Sequence, residues 1–161
     1  MKQKLLVVLS FLMLTTMSFS IPNVDAAYSD EGKSPITTGC ANNAITASSA
    51  SIKNDAGTTI GTIQLRYSTI CKTAWAKVTF NSSMPSGYRG NAVIRKYNSD
   101  KSIIIKAYTC TSSGGNGDVA PGQKSCYTPM IYDPVGYYGR AEGYRVNLSN
   151  GNYDGALTGF Y

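Results

Sequence analysis

The residue types that commonly carry out catalysis are sparse in this chain, and their absence excludes several classes of enzyme. Its 161 residues contain no histidine, so serine-histidine and cysteine-histidine nucleophile pairs and histidine-ligated metal sites are excluded. The sequence also lacks Ser-x-x-Lys, Gly-x-Ser-x-Gly and any glycine-lysine motif that would cradle a phosphate. We therefore favour a role other than catalysis and expect neither a cofactor nor a metal site.

Carboxylates leave one catalytic hypothesis open. A glycosidase needs only two Asp or Glu side chains at a suitable separation, and the tyrosine-rich C-terminal region offers Asp133, Glu142 and Asp154. Their spacing matches no motif, so solvated loop carboxylates are the simpler interpretation. Two Asn-x-Asp pairs, at 98–100 and 116–118, are explained better by turn chemistry than by calcium binding.

A more informative group of residues lies on two neighbouring segments of alternating polarity. If the apolar side chains of 74–80 point into a core, strand alternation places Trp75 and Lys77 on the opposite face, and Arg66 joins them from the preceding segment. An exposed tryptophan beside two cations would be a platform for sugar rings, bases or an anionic polymer. The alternative is that Trp75 belongs to the core, under a second sheet or the N-terminal arm, since tryptophan is highly buried on average. The predicted binding residues are Arg66, Trp75, Lys77, Arg95 and Lys106, the last two as outer charges.

Tyrosines crowd the C-terminal region and leave a similar choice open. On glycine-rich loops tyrosine suits recognition, because its ring gives contact area and a hydroxyl at a small entropy cost. Tyrosine is equally a good strand former, whose ring packs while its hydroxyl stays in water. The residues concerned are Tyr137, Tyr138, Tyr144, Tyr153 and Tyr161.

The segments that must position these residues are short. Runs at 63–67 and 74–80 flank a polar turn that holds Cys71, and each predicts a half-buried strand. The β-branched stretch 103–105 favours a strand buried on both faces or in the middle of a sheet. No segment of helical period survives beyond the N-terminus, so we expect an all-β fold, an antiparallel β-sandwich or barrel of about seven short strands. The predicted strands include 43–53, 58–68, 74–80, 91–97, 102–110 and 127–133.

The N-terminus has the three parts of a secretory signal. Lys2 and Lys4 give a positive start, an apolar core follows at 5–19, and small residues at 24–26 precede a cleavage site. The apolar core is shorter than the ~20 residues of a membrane-spanning helix, so we expect its removal and a secreted, extracellular protein. The predicted organisation is a signal peptide at 1–26, a flexible N-terminal arm at 27–39 and a single secreted β domain at 40–161.

The positive charge of the chain is concentrated in its middle. Without the leader residues Lys2, Lys4 and Asp25, the chain carries 13 basic and 8 acidic residues. Nine of the basic residues lie between Lys53 and Lys106, against two acidic residues in the same stretch. A field of this sign attracts anionic partners. Nucleic acid is not the expected partner, because an exported protein first meets anionic wall polymers and lipid headgroups.

Segment 65–78 combines several unlike residues in a fixed order. It contains Leu-Arg-Tyr-Ser at 65–68 and Cys-Lys-Thr-Ala-Trp-Ala-Lys-Val at 71–78. This order resembles the signature of DUF2690, a bacterial family of unknown function, in which an L-R-Y-S strand leads through a short turn into C-[RK]-T-x-W-A-[RK]-V. The likeness extends from about Cys40 to 130–133, and overall the chain is similar to small secreted Bacillus members. In actinobacterial relatives a similar domain is attached to a regulator with a membrane span, so the resemblance implies an extracellular binding or sensing module more than a catalyst.

Four cysteines in an exported chain predict two disulfides. Three pairings are possible. We favour Cys40 with Cys71, because both lie in the region that resembles DUF2690, and Cys110 with Cys126, because they enclose a glycine-rich segment. A metal site is the less favoured alternative, since the chain has no histidine and no Cys-x-x-Cys.

These features together favour a secreted binding or interaction module of an uncharacterised family. We expect it to engage an anionic cell-wall polymer, a polysaccharide or the envelope surface, without a small-molecule cofactor and without a stable membrane span after signal cleavage. Two alternatives stay open. One is a secreted antibacterial or effector protein, supported by small size, disulfides and basic charge; the other is a carboxylate-dependent enzyme that acts on polysaccharide.

Overall fold

The computed structural model describes residues 29–161, which form short strands joined by turns. The prediction of an antiparallel all-β fold is confirmed. The predicted signal peptide, 1–26, lies outside the described residues. Within residues 29–161, no helix has the length and apolar character that crossing a membrane would require. A 3₁₀ turn (Cys40–Asn43) precedes strands β1 (Ala44–Lys53), β2 (Thr59–Ser68), β3 (Thr73–Phe80), β4 (Tyr88–Tyr97), β5 (Ile104–Thr109), β6 (Ser125–Tyr127), β7 (Ile131–Tyr132), β8 (Tyr138–Asn147) and β9 (Tyr153–Leu157).

The strands form two antiparallel sheets that pack face to face as a sandwich. In the first sheet the order is β1-β2-β3-β6, and β7 also pairs with β3. In the second sheet the order is β5-β4-β8-β9. Nine strands are present within the described residues, against about seven expected. The difference arises because segment 127–133 divides around Pro129 and the tyrosine-rich tail contributes two strands.

The space between the sheets is filled by side chains from alternate positions of their central strands. Ile63 and Leu65 of the first sheet and Ile94 of the second have no exposed surface. Fully burying one such side chain contributes roughly 1.5–3 kcal/mol. Gly143 in β8 allows the sheets to approach closely, because a Cβ at this position would lie 2.8 Å from Ile63 Cβ. The core is therefore closely packed between β2 and β8.

A second, smaller apolar cluster lies on the outer face of the first sheet. Trp75 is 3% exposed and packs there with Cys40 and Met130. Its cover comes from the 3₁₀ turn and from residues 127–130. The first half of β3 is consequently buried on both faces, whereas Lys77 and Thr79 on its outer face are exposed. Trp75 is a core residue of this outer cluster.

Two disulfides close the chain, and their pairing is the one favoured from the sequence. Cys40 bonds to Cys71 and Cys110 bonds to Cys126, with Cα–Cα separations of 5.9 and 6.0 Å. The first bond ties the 3₁₀ turn to the loop before β3. In the chain-entropy model, loops of these lengths correspond to about 3–4 kcal/mol of stabilisation each.

The described part of the predicted arm, 29–39, contacts both sheets. The Gly32 N–H donates to the carbonyl oxygen of Met130 over 2.8 Å. Glu31 forms an ion pair with Lys106 of β5, with 2.8 Å between Glu31 Oε1 and Lys106 Nζ. This segment therefore bridges the outer side of the first sheet and the β5 edge of the second. The domain boundaries themselves stay a prediction.

The prediction that Ile103, Ile104 and Ile105 belong to a strand buried on both faces or in the middle of a sheet is wrong. Strand β5 lies at the edge of the second sheet, and these side chains are 61%, 49% and 50% exposed. β-branched residues favour extended backbone wherever the strand lies, so their propensity does not say how many neighbours the strand has. Lys101 lies just before this edge strand, where positive charge discourages pairing with another chain.

Substituting Ile94 and Ile104 separately tests this placement. Ile94→Ala leaves a cavity between the sheets and is expected to cost about 2–5 kcal/mol of unfolding free energy. Ile104→Ala removes the same atoms from an exposed edge and is expected to cost no more than about 0.5 kcal/mol. Urea unfolding of the oxidised protein measures both. Equal losses would contradict the edge position of β5.

Candidate functional site

A groove on the outer face of the first sheet contains three of the five predicted binding residues. Its volume is about 410 Å³, and we call it the Arg66 groove. Two cations, three polar side chains and two small apolar side chains line it, together with part of Trp75. The lining residues are Ile36, Ala41, Arg66, Trp75, Lys77, Asn116, Ser125 and Tyr127.

The register of three neighbouring strands brings these side chains together. In β2 and β3, Arg66 lies opposite Trp75. In β3 and β6, Lys77 lies opposite Tyr127. Alternation then directs all four to the same face, because residues two apart along a strand share a side of the sheet. The Tyr127 N–H donates to Asn116 Oδ1 over 2.6 Å, which fixes Asn116 at the end of the groove.

Arg66 is held in place by neutral acceptors. Its Nη1 donates to Thr46 Oγ1 over 2.5 Å, and its Nη2 donates to the Ala44 carbonyl oxygen over 3.0 Å. No carboxylate lies within ion-pair distance of Arg66 among residues 29–161. The guanidinium therefore keeps its full positive charge in a fixed position, because uncharged oxygens orient it without neutralising it.

Lys77 supplies the second cation. Its side chain is exposed, and no acid within the described chain pairs with it. Trp75 has a different role from the one proposed for an exposed ring. Because it is 3% exposed, its faces are taken up by the outer cluster and are not free for stacking. The groove thus offers two positive charges and several hydrogen-bonding side chains, and the buried Trp75 forms a fixed part of its lining.

The structure places the other two predicted binding residues elsewhere. Arg95 lies on the outer face of the second sheet, where its Nη2 is 2.6 Å from Glu142 Oε2. Lys106 lies on β5, and its bond to Glu31 raises the pKa of its ammonium. Each of these cations already has a carboxylate partner, so neither extends the charge of the Arg66 groove.

The three carboxylates considered for catalysis have separate neighbours, and Asp133 and Glu142 lie on opposite sides of β8. Asp133 approaches the inner side of β8, where a Cβ on Gly139 would lie 3.1 Å from its Oδ2. Glu142 lies on the outer side of β8, where Arg95 and the Tyr153 hydroxyl donate to it. Burial raises the pKa of Glu142, but these two bonds lower it by more, so it lies below its usual value. Asp154 pairs with Arg145 over 2.7 Å. Two carboxylates on opposite sides of a strand cannot flank one glycosidic bond.

The C-terminal tyrosines are divided between two surfaces. Tyr144 and Tyr153 stack on the outer face of the second sheet, with ring centroids 5.0 Å apart. Tyr161 is exposed and its ring contacts that of Tyr67 of β2, with centroids 5.1 Å apart. These residues therefore do not form one recognition surface.

Three polar residues of the groove were not among the predicted binding residues. Asn116 was considered only as a turn residue, and Ser125 and Tyr127 lie far from β3 in sequence. Their place beside Lys77 depends on the pairing of β6 with β3. Alternation within 125–127 does indicate that Tyr127 and Ser125 share a face opposite Cys126. The local sequence does not predict that β3 is the strand with which this segment pairs.

Comparison with known proteins identifies a family to which the chain is similar, but the names of its members describe no activity. A family model described as "Protein of unknown function (DUF2690)" matches residues 27–138, a range that includes the whole Arg66 groove and Asp133. Over 103 residues the chain is 48% identical to "Uncharacterized protein YjfA" of Bacillus subtilis (strain 168), which covers 64% of this chain and 62% of that protein. The aligned region therefore spans less than two thirds of the relative.

One solved structure is similar at a low level. It is "The crystal structure of endonuclease/exonuclease/phosphatase from Beutenbergia cavernae DSM 12333", with a TM-score of 0.42 and 20% sequence identity. The match covers 71% of this chain and 27% of that chain. A similarity of this size carries no conclusion about fold or activity.

The single tryptophan makes the cover over β3 measurable. Because Trp75 is buried under the turn that Cys40–Cys71 holds, iodide is expected to quench the fluorescence of the oxidised protein weakly. Replacing Cys40 and Cys71 together by Ala is expected to increase quenching at least about twofold, because the turn is no longer tied to the loop before β3. The double replacement of Cys110 and Cys126 is the control and should leave quenching unchanged in the folded state. Equal quenching of both double variants would show that the Cys40–Cys71 bond does not hold the cover over Trp75.

Proposed function

The chain belongs to the DUF2690 family, and from that premise we propose that it is an exported binding module that holds an anionic polymer at or outside the cell envelope. The Arg66 groove is the proposed binding site. The observation that carries the proposal is the presence of two cations without a carboxylate partner in one groove, among residues 29–161.

The charge of the groove favours an anionic group in the ligand. None of its lining residues is acidic. Arg66 presents a planar guanidinium whose fork suits the paired oxygens of a phosphate or carboxylate. Lys77 is a flexible point charge, so its ammonium can contact the next anionic unit of the polymer. These two cations would together engage a repeating phosphodiester or carboxylate.

The uncharged lining favours a ligand that also carries hydroxyl groups. Asn116, Ser125 and Tyr127 provide side-chain donors and acceptors in the groove. Ile36 and Ala41 add apolar surface to the same lining. A polymer of polyol or sugar units matches this combination, because its hydroxyls bond to the polar side chains and its C–H groups pack against the apolar ones. An anionic wall polymer is the ligand class we propose.

Export is supported by the leader sequence and by the disulfides. The leader has a positive start, an apolar core and small residues before a cleavage site. Two disulfides close the described chain, and such bonds persist in oxidising compartments outside the cytosol. At this location the first anionic partners are polymers of the envelope, which agrees with the charge of the groove.

Lys77→Gln tests the groove directly, and Lys53→Gln is the matched control. Both lysines are exposed strand residues of the first sheet, and both changes remove one charge, but only Lys77 lines the groove. We expect Lys77→Gln to weaken binding to immobilised poly(glycerol phosphate) roughly five- to tenfold. Lys53→Gln should change it less than about twofold, because a distant surface charge is screened by salt.

A neutral polymer completes this experiment. Free dextran of similar length is expected not to compete with poly(glycerol phosphate) for the Arg66 groove. Raising the salt concentration from 0.1 M to 1 M should weaken poly(glycerol phosphate) binding, since the Debye length falls from about 10 Å to 3 Å. Equal losses for the two lysine variants would show that net charge and not the groove is responsible. Binding that does not respond to salt would also refute the proposal.

A further inference from the structure

Asp133 is a buried acid, and one of its two carboxylate oxygens has no hydrogen-bond partner in the described chain. It directly follows β7, and its N–H donates to the Lys72 carbonyl oxygen over 3.0 Å. Its side chain is 7% exposed, and Oδ1 has no hydrogen-bond partner in the described chain. A buried carboxylate oxygen without a partner is destabilising by about 1–3 kcal/mol or more. Such a group in a native fold calls for an explanation other than stability.

The surroundings of Asp133 make room for its carboxylate. Gly139 of β8 faces it, and a Cβ there would lie 3.1 Å from Asp133 Oδ2, which is tighter than ordinary contact. The backbone of β8 therefore approaches the carboxylate where a side chain would exclude it. Two strands from different sheets are thus adapted to hold one acid between them.

Asp133 borders a small pocket, although its unpartnered Oδ1 is itself buried. The pocket has a volume of about 170 Å³, and its rings come from β2, the loop after β7 and the C-terminus. One water molecule occupies roughly 30 Å³ of liquid, so the space suits a group of about the size of one sugar ring. Its lining residues are Tyr67, Asp133, Pro134, Val135, Tyr137 and Tyr161.

A lysine beside the pocket balances the charge of the acid. Lys96 is 8% exposed and projects from β4 toward the space between the sheets, on the same face as Ile94. Its Nζ lies 4.3 Å from the centre of the Tyr137 ring and 5.5 Å from that of Tyr132. Burial lowers the pKa of Lys96, while the nearby Glu31 and Asp133 raise it. The site therefore combines one positive and one negative group and has no strong preference for a charged ligand.

We propose that the Asp133 pocket is a second binding site, which takes a single neutral sugar ring whose hydroxyl groups donate to the Asp133 carboxylate. The tyrosine rings pack against the C–H groups of the sugar, as aromatic side chains do with apolar surfaces. A cationic ligand is disfavoured by Lys96, and an anionic ligand is disfavoured by Asp133. The site is independent of the Arg66 groove, because Arg66 and Tyr67 are adjacent in β2 and point to opposite faces of the first sheet.

Titration with small probes tests this site without the polymer. Glucose, N-acetylglucosamine and glycerol are the neutral probes, tetramethylammonium is the cationic probe and inorganic phosphate the anionic one. We expect the two sugars to shift the NMR signals of Tyr67, Tyr137 and Tyr161, with glycerol weaker and the ions without effect. Asp133→Asn should weaken sugar binding at least about tenfold, whereas Asp55→Asn, an exposed acid in the turn after β1, should not change it.

The pH dependence gives a second readout. Burial raises the pKa of Asp133 to about 6, although Lys96 and the Gly139 backbone oppose this effect. The other charged or titratable groups near the site are Glu31, Lys106, Tyr67, Tyr132, Tyr137 and Tyr161. Sugar affinity should fall as the pH decreases through 6, because a protonated carboxyl accepts fewer hydrogen bonds. Asp133→Asn should remove that pH dependence.

Stability separates a binding role from a structural one. The folded-state pKa of Asp133, about 6, lies above the ordinary aspartate value of 3.8, so the ionised acid destabilises the fold at pH 7 and this penalty disappears as the pH falls toward 3.8. Asp133→Asn is therefore expected to raise the urea midpoint at pH 7 and to change it little at pH 3.5. A lower midpoint for Asp133→Asn at pH 7 would show that the carboxylate is structural and would overturn the proposal.

Three further results would overturn it as well. These are an absence of tyrosine shifts with both sugars, equal sugar binding by wild type and Asp133→Asn, and a response to tetramethylammonium alone. None of these outcomes depends on Lys77, so failure of this site and failure of the Arg66 groove are distinguishable.

Discussion

Burial of the first half of β3 on both faces is the constraint from which the rest of the structure follows. Its inner side chains pack against the second sheet, and Trp75 on its outer side packs under Cys40 and Met130. The outer cover needs the 3₁₀ turn to stay in place, and the Cys40–Cys71 bond supplies that connection. Because β3 also pairs with β2, β6 and β7, it sets the position of every strand that lines the Arg66 groove.

Two groups of cations differ in whether a carboxylate neutralises them, and the proposed binding site rests on that difference. Arg95, Lys106 and Arg145 each have a carboxylate within 2.8 Å, so their charge is largely compensated. Arg66 and Lys77 have no such partner within residues 29–161 and face the same groove. Proteins tend to depart from local structural rules at functional sites. Unpaired cations on one face and an unpartnered buried acid at the sheet interface are two departures of this kind.

Much of the fold was visible in the sequence because alternation is a local property. The period of two along 63–67 and 74–80 placed Trp75 and Lys77 opposite Ala74 and Val78, as the structure has them. The position of a strand within a sheet is not local, and for that reason the isoleucines of β5 were misplaced. The groove was only partly predictable, since Tyr127 reaches Lys77 through pairing between strands distant in sequence. Lys96 was a missed signal, because alternation already placed it on the face of Ile94, where a buried lysine is unusual unless a charged group lies nearby.

NMR mapping of the binding surface tests directly whether an anionic polymer binds in the Arg66 groove. The backbone amides of ¹⁵N-labelled, oxidised protein would be followed during titration with short poly(glycerol phosphate). The account predicts shifts at Lys77, Asn116 and Tyr127 and at the Trp75 indole, with the outer face of β8 and β9 unaffected. Shifts confined to the second sheet, or spread evenly over all exposed lysines, would contradict it.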